Sequence, residues 1–98
     1  MNQAESGGSG KRRVLMYATG YCPYCMRAEA FLRKKGFAAI DKIRVDLDPA
    51  RRNEMMLLTG QRTVPQIFVG DTYVGGCDEL YALDRVGRLD PMLAGTDA

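Results

Sequence analysis

Cys22-Pro23-Tyr24-Cys25 is the stretch on which the reading of this chain turns. Cysteines three apart become neighbours when the second lies in the first turn of a helix, where side chains at that spacing sit about 5–6 Å apart at Cβ. A disulfide needs Cβ atoms about 3.8 Å apart, so such a pair can close with modest adjustment and reopen. Pro23 suits the first helical position, where its fixed φ helps and its missing N–H costs nothing. Cys22 then precedes the helix and faces its unpaired N–H groups and the positive end of its dipole. That setting favours the thiolate, the nucleophilic form of cysteine. The four residues read as a redox-active dithiol. Cys22 is the attacking thiol, and Cys25, one turn into the helix and more covered, is the poorer first nucleophile.

Two blander readings compete. A structural zinc site takes four ligands, usually as two pairs, but the chain has no histidine and one further cysteine, Cys77. No metal is expected. A pair of buried structural cysteines would not need proline at the helix start or the flanking Tyr21 and Tyr24. A C-x-x-C beside a βαβ pattern favours redox chemistry.

Working outward, Val14-Leu15-Met16-Tyr17 is a short apolar run between Arg13 and Thr19-Gly20 and predicts the first strand. A helix follows from Pro23 to Lys35, with Cys25, Ala28, Phe31 and Leu32 as its apolar stripe and Arg27, Arg33 and Lys34 towards solvent. Gly36 stops it. Ile40 to Asp46 alternates and predicts a half-buried strand with Ile43 and Val45 inward. Asp48-Pro49 caps and opens a helix that ends before Gly60, with Met55, Met56 and Leu58 facing in. Gln66 to Val69 is a third strand, Gly70-Asp71 a hairpin turn, and Thr72-Tyr73-Val74 the returning strand. A last helix begins near Asp78 with Leu80, Leu83 and Val86 inward, and Leu89 to Leu93 is a short closing turn. The order is βαβαββα. A helical crossover makes the first two strands parallel. The hairpin completes a four-stranded mixed sheet flanked by three helices, an α/β fold.

Ninety-eight residues make one domain. Residues 1–11, centred on Ser6-Gly7-Gly8-Ser9-Gly10, read as a flexible tail, and 12–95 as the folded unit. A net charge of +2 gives no case for nucleic acid. Three cysteines, an odd number, do not make a secreted disulfide framework. The first thirteen residues carry no apolar run of the signal-peptide kind, and no stretch approaches the length of a membrane span. A reducing cytoplasm is the expected location.

Three motifs, Cys22-Pro23-Tyr24-Cys25, Thr63-Val64-Pro65 and Gly75-Gly76-Cys77-Asp78, together resemble a dithiol glutaredoxin, with the small bacterial glutaredoxin-3 type as the nearest match, over roughly residues 13–94. The resemblance implies a thioredoxin fold, glutathione as reducing co-substrate, and glutathione-dependent reduction of protein disulfides and glutathione mixed disulfides. It implies a cis bond before Pro65, with the Val64 N–H and C=O pairing with the glutathione cysteine like an added strand. Gly75-Gly76 permits positive φ and close backbone approach. The helix opened by Cys77-Asp78 offers an anion site for a glutathione carboxylate. Asp78 is expected to cap that helix and to take the γ-glutamyl ammonium. Arg52, Gln61 and Arg62 are candidates for the glycyl carboxylate. The implied glutathione-binding set is Tyr24, Gln61, Thr63, Val64, Pro65, Gly76, Cys77 and Asp78, with Cys77 non-catalytic.

One departure stands out. Many glutaredoxins carry lysine three residues before the first motif cysteine, and here that position is Thr19. The charge is missing unless Arg12, Arg13 or Arg62 reaches over. Two rival functions remain: a thioredoxin-like reductant fed by a flavoprotein, and a dimer holding an iron–sulfur cluster through Cys22 and glutathione. Expected partners are glutathione and disulfide-containing or glutathionylated client proteins, with no nucleic acid, no membrane, and a monomeric state.

Overall fold

The computed structural model describes residues 12–37 and 40–95, and the tail expected over 1–11 lies outside them. Eight elements follow in order: β1 (Val14–Ala18), α1 (Pro23–Lys34), β2 (Ile40–Arg44), α2 (Pro49–Thr59), β3 (Gln66–Val69), β4 (Thr72–Gly75), α3 (Cys77–Arg85) and α4 (Leu89–Ala94). The sheet runs β2-β1-β3-β4. β1 and β2 are parallel with Val14 opposite Ile40, while β1/β3 and β3/β4 are antiparallel. The expected four-stranded mixed sheet is present, and Gly70, at φ 59, opens the two-residue turn of its hairpin.

Period-two alternation along β1 and β3 splits the core into two layers. Val14, Met16 and Ala18 with Ile67 and Val69 face Ala28 and Leu32 of α1, Leu80 of α3, and Leu89 and Leu93 of α4. On the other face Tyr17 packs with Val45 and Met55, with Leu15, Ile43, Met56 and Phe68 partly buried around them. Tyr17 meets Phe68 edge-on at 6.2 Å, and its hydroxyl donates to Glu54 at 2.5 Å, so the phenol brings its own acceptor into the layer. Asp48 caps α2 by accepting from the Ala50 N–H at 3.1 Å. Lys35 bridges Asp84 at 2.5 Å and Asp90 at 3.0 Å, tying the end of α1 to α3 and α4.

Four expectations are corrected. Leu89 to Ala94 forms a fourth helix rather than a turn, because Leu89, Met92 and Leu93 all bury against the core. β2 ends at Arg44 rather than Asp46, although Val45 still donates to the Ala18 carbonyl at 2.9 Å. Leu58 is 60% exposed: the sheet offers α2 a narrow seam that Met55 fills, with Met56 half-buried beside it. Val86 is 68% exposed because α3 ends at Arg85, one residue before the helical period would carry position 86 inward.

Candidate active site

Cys22 is the N-cap of α1, with extended φ and ψ of −149° and 111°, and Pro23 follows in the first turn. Its sulfur accepts from the Cys25 N–H at 3.3 Å. It also lies 3.9 Å from the Val64 carbonyl oxygen, to which the thiol can donate. Cys22 is partly exposed, whereas Cys25 is 4% exposed. Burial, followed by the hydrogen bond with Cys22, pushes the Cys25 thiol up to about 12, while the Thr19 backbone and the Lys42 cation act the other way. The two thiols are thus unequal in the way the sequence suggests: one open at the helix start, one covered and neutral at physiological pH.

Val64, the partner of the Cys22 sulfur, and Tyr24 of the motif both line a cavity of about 590 Å³, within the range of small-ligand sites. All eight residues of the expected glutathione set line it: Tyr24, Gln61, Thr63, Val64, Pro65, Gly76, Cys77 and Asp78. The Val64–Pro65 bond is cis. Tyr24 is exposed, and Arg27 lies over its ring at 5.3 Å. Of the three candidates for a carboxylate, only Gln61 reaches the cavity wall. Arg52 and Arg62 are not among its lining, and Arg52 instead donates to the Arg62 carbonyl at 3.3 Å.

The far wall is the turn into α3. Gly75 has φ 117, which glycine alone adopts without strain, and a Cβ on Gly76 would stand 3.3 Å from the Pro65 carbonyl. The expected cap is corrected: Gly76, not Asp78, is the N-cap, and the Glu79 carboxylate accepts from the Gly76 N–H at 2.7 Å. Asp78 lies inside the first turn, where its carboxylate acts through the helix dipole and cannot reach back as an N-cap acceptor. Cys77 is buried at the first position of the helix and hydrogen-bonds with Tyr81, which with burial holds that phenol above its ordinary range.

Sequence reading missed Gln66 and Tyr73. Gln66 is 3% exposed; its amide donates to the Thr63 carbonyl at 3.0 Å and its oxygen accepts from the Tyr73 hydroxyl. The pair pins the Thr63-Val64-Pro65 loop to the hairpin. A polar residue heading the apolar run Gln66-Ile67-Phe68-Val69 was the available signal.

The glutaredoxin family profile matches residues 14–74. The chain is 48% identical over 80 residues to glutaredoxin 3 of Escherichia coli, covering 82% of this chain and 95% of that one. It is 47% identical over 81 residues to a glutaredoxin of Pseudomonas aeruginosa, covering 83% and 95%. Among solved structures, a Brucella melitensis glutaredoxin superposes with TM-score 0.78 at 44% identity, covering 91% of this chain and 96% of that one. A buckwheat glutaredoxin solved as its glutathione complex gives TM-score 0.77 at 34% identity, covering 89% and 83%. An unequal dithiol at a helix start, a cis-proline loop and a glycine turn, set in this sheet and joined to these likenesses, place the chain in the glutaredoxin family of glutathione-dependent thiol–disulfide oxidoreductases.

Proposed function

We propose that Cys22 is the attacking thiol, Cys25 the resolving thiol, and the adjoining cavity the glutathione site. The observation that carries this reading is the placement of the Cys22 sulfur between the Cys25 N–H and the carbonyl of Val64, a residue that lines the cavity. On a glutathione mixed disulfide, the Cys22 thiolate attacks the glutathionyl sulfur. A Cys22–glutathione bond forms, and the client thiolate leaves and takes a proton from solvent. A second glutathione attacks the same glutathionyl sulfur, releasing glutathione disulfide and restoring Cys22. On a protein disulfide, Cys22 first bonds one client sulfur. Cys25 then attacks the Cys22 sulfur, the client leaves reduced, and two glutathione molecules reduce the Cys22–Cys25 bridge.

In this reading Val64 offers its backbone N–H and C=O to the glutathione cysteine, Asp78 takes the γ-glutamyl ammonium, and Gln61 donates to the glycyl carboxylate. Tyr24, Thr63, Pro65, Gly76 and Cys77 shape the surrounding wall. Clients are disulfide-containing or glutathionylated proteins, met by a monomer in a reducing cytoplasm, which suits three cysteines that are all free thiols. No helix among the described residues is long and apolar enough to cross a membrane. The test is reduction of a small glutathione mixed disulfide, coupled through glutathione reductase to NADPH consumption. Turnover with that couple, and none when thioredoxin reductase replaces it, is expected; the reverse result overturns the reading.

A further inference from the structure

Three residues that the thiol chemistry does not use meet at the segment leading into Cys22. The ladder between β1 and β2 pairs Ala18 with Arg44 and runs one residue further through the Val45–Ala18 hydrogen bond. That continuation brings Asp46 beside Gly20, and its Oδ2 accepts from the Gly20 N–H at 3.1 Å. Arg44 grips the same carboxylate with two bonds, Nε to Oδ1 at 2.8 Å and Nη2 to Oδ2 at 2.7 Å. The guanidinium lies so close over the loop that a Cβ at position 20 would clash with Nη2. Arg44 above all, with the Gly20 N–H, holds the Asp46 carboxyl well below the usual range, so the clamp stays charged wherever the enzyme works.

The clamped segment reaches Cys25. Residue 19 precedes Gly20, and its backbone lies on the Cys25 side, where it favours that thiolate. Cys22, by contrast, takes its hydrogen bond from the Cys25 N–H, which α1 supplies by itself. We propose that Asp46 is a positioning residue for the resolving step: by fixing the Gly20 amide it holds the Thr19 backbone against Cys25 while Cys25 attacks the mixed disulfide on Cys22. In that step the Cys22–Cys25 bond forms, the Cys22–client bond breaks, and the departing client thiolate takes up, through solvent, the proton that Cys25 gives up. The exchange is internal and needs no further oxidant. The proposal rests on Cys22 attacking and Cys25 resolving.

The experiment reads the two steps separately. All proteins carry Cys77→Ser, leaving Cys22 and Cys25 as the only thiols. Stopped-flow mixing with a chromogenic aromatic disulfide releases coloured thiol once when Cys22 attacks and again when Cys25 closes the bridge. Asp46→Ala should leave the first phase within about twofold and slow the second about tenfold, the scale of one charge-assisted hydrogen bond. Asp46→Asn, which keeps an acceptor for the Gly20 N–H, should fall between. Arg44→Gln should slow the second phase less than Asp46→Ala, and it serves if the alanine variant does not fold. An unchanged second phase, or equal slowing of both phases, overturns the positioning role. A parent with no first phase overturns the assignment of Cys22 and the clamp's role with it.

Discussion

The Cys22 sulfur and the Val64 carbonyl oxygen stand 3.9 Å apart, although 42 residues separate them in the chain. The contact joins the start of α1 to the loop before β3. That loop is fixed from behind, since Pro65 is buried and the Gln66 amide holds the Thr63 carbonyl. A sulfur that attacks from this position therefore meets a disulfide that can lie along a rigid backbone edge.

The two thiols should separate cleanly by substitution. Cys22→Ser is expected to abolish reduction of both substrate types, because neither Cys25 nor Cys77 is both exposed and at the helix cap. Cys25→Ser should retain reduction of a glutathione mixed disulfide and lose most protein-disulfide reduction, since only the second needs a resolving thiol. Paired assays on a small mixed disulfide and a disulfide-bonded protein check this. Equal loss in both variants on both substrates would sink the division of labour.

Gln66 should matter for stability and for glutathione use together. Gln66→Ala removes a buried donor and acceptor at once, leaving the Thr63 carbonyl and Tyr73 hydroxyl without it. Thr63 and Tyr73 are exposed enough for water to replace the amide, so the loss is that of the hydrogen bonds themselves, about 0.5–1.5 kcal/mol each. The denaturant midpoint should fall accordingly, and the KM for glutathione should rise as the Thr63-Val64-Pro65 loop loosens. Tyr73→Phe removes one hydroxyl and should cost less on both measures. A Gln66→Ala protein with parental stability and KM would show that the loop is held by Pro65 packing alone.

How much of this could be read in advance follows from what each feature depends on. The dithiol, the Thr63-Val64-Pro65 loop and the Gly75-Gly76 turn were legible because each lies in a few contiguous residues. The strands and three of the helices were legible from period and caps, Asp48-Pro49 most directly. The Asp46–Gly20 and Gln66–Tyr73 bonds were not, because they depend on the register between separate strands, to which single-strand periodicity is blind. Leu58 and Val86 were misplaced for a related reason. Apolar spacing gives a helix a face, but the width of the seam it meets and the residue where it ends are set by tertiary packing.

The raised Cys25 thiol predicts how the reduced protein responds to alkali. The folded value of about 12 lies above the ordinary 9.0, so folding favours the neutral form. The stabilisation is complete below pH of about 9 and is lost as pH rises from there towards about 12. Tyr17, raised first by burial and then by Glu54, acts in the same direction and alkaline range. The informative quantity is therefore the difference in unfolding free energy between the parent and Cys25→Ala, measured under reducing conditions across pH. It should be flat through neutral pH and shrink in alkali. A constant difference throughout would mean that Cys25 titrates alike in the folded and unfolded chains.

Thr19 gives the last prediction, because two of the three arginines that could have replaced the missing lysine lie elsewhere. Arg12 and Arg13 lie before β1, whereas the dithiol follows it; five strand residues at about 3.3 Å each separate the two ends. Arg13 is moreover paired with Asp41, and Arg12 lies against Gly70. Lys42 and Arg44 of β2 are already engaged, with Glu29 at 2.8 Å and with Asp46, and Arg27 lies over the Tyr24 ring. A lysine at position 19 would therefore add charge rather than duplicate it. Two unit charges 4 Å apart interact by about 4 kcal/mol at an effective dielectric of 20, and by less in an open site. Thr19→Lys should speed alkylation of Cys22 at neutral pH and lower the KM for glutathione, with both gains larger at low than at high salt because exposed charges are screened. Alkylation rates and KM at two ionic strengths check this. Rates that match the parent at both would show that the helix start and the Cys25 N–H already supply the stabilisation that an added cation could give.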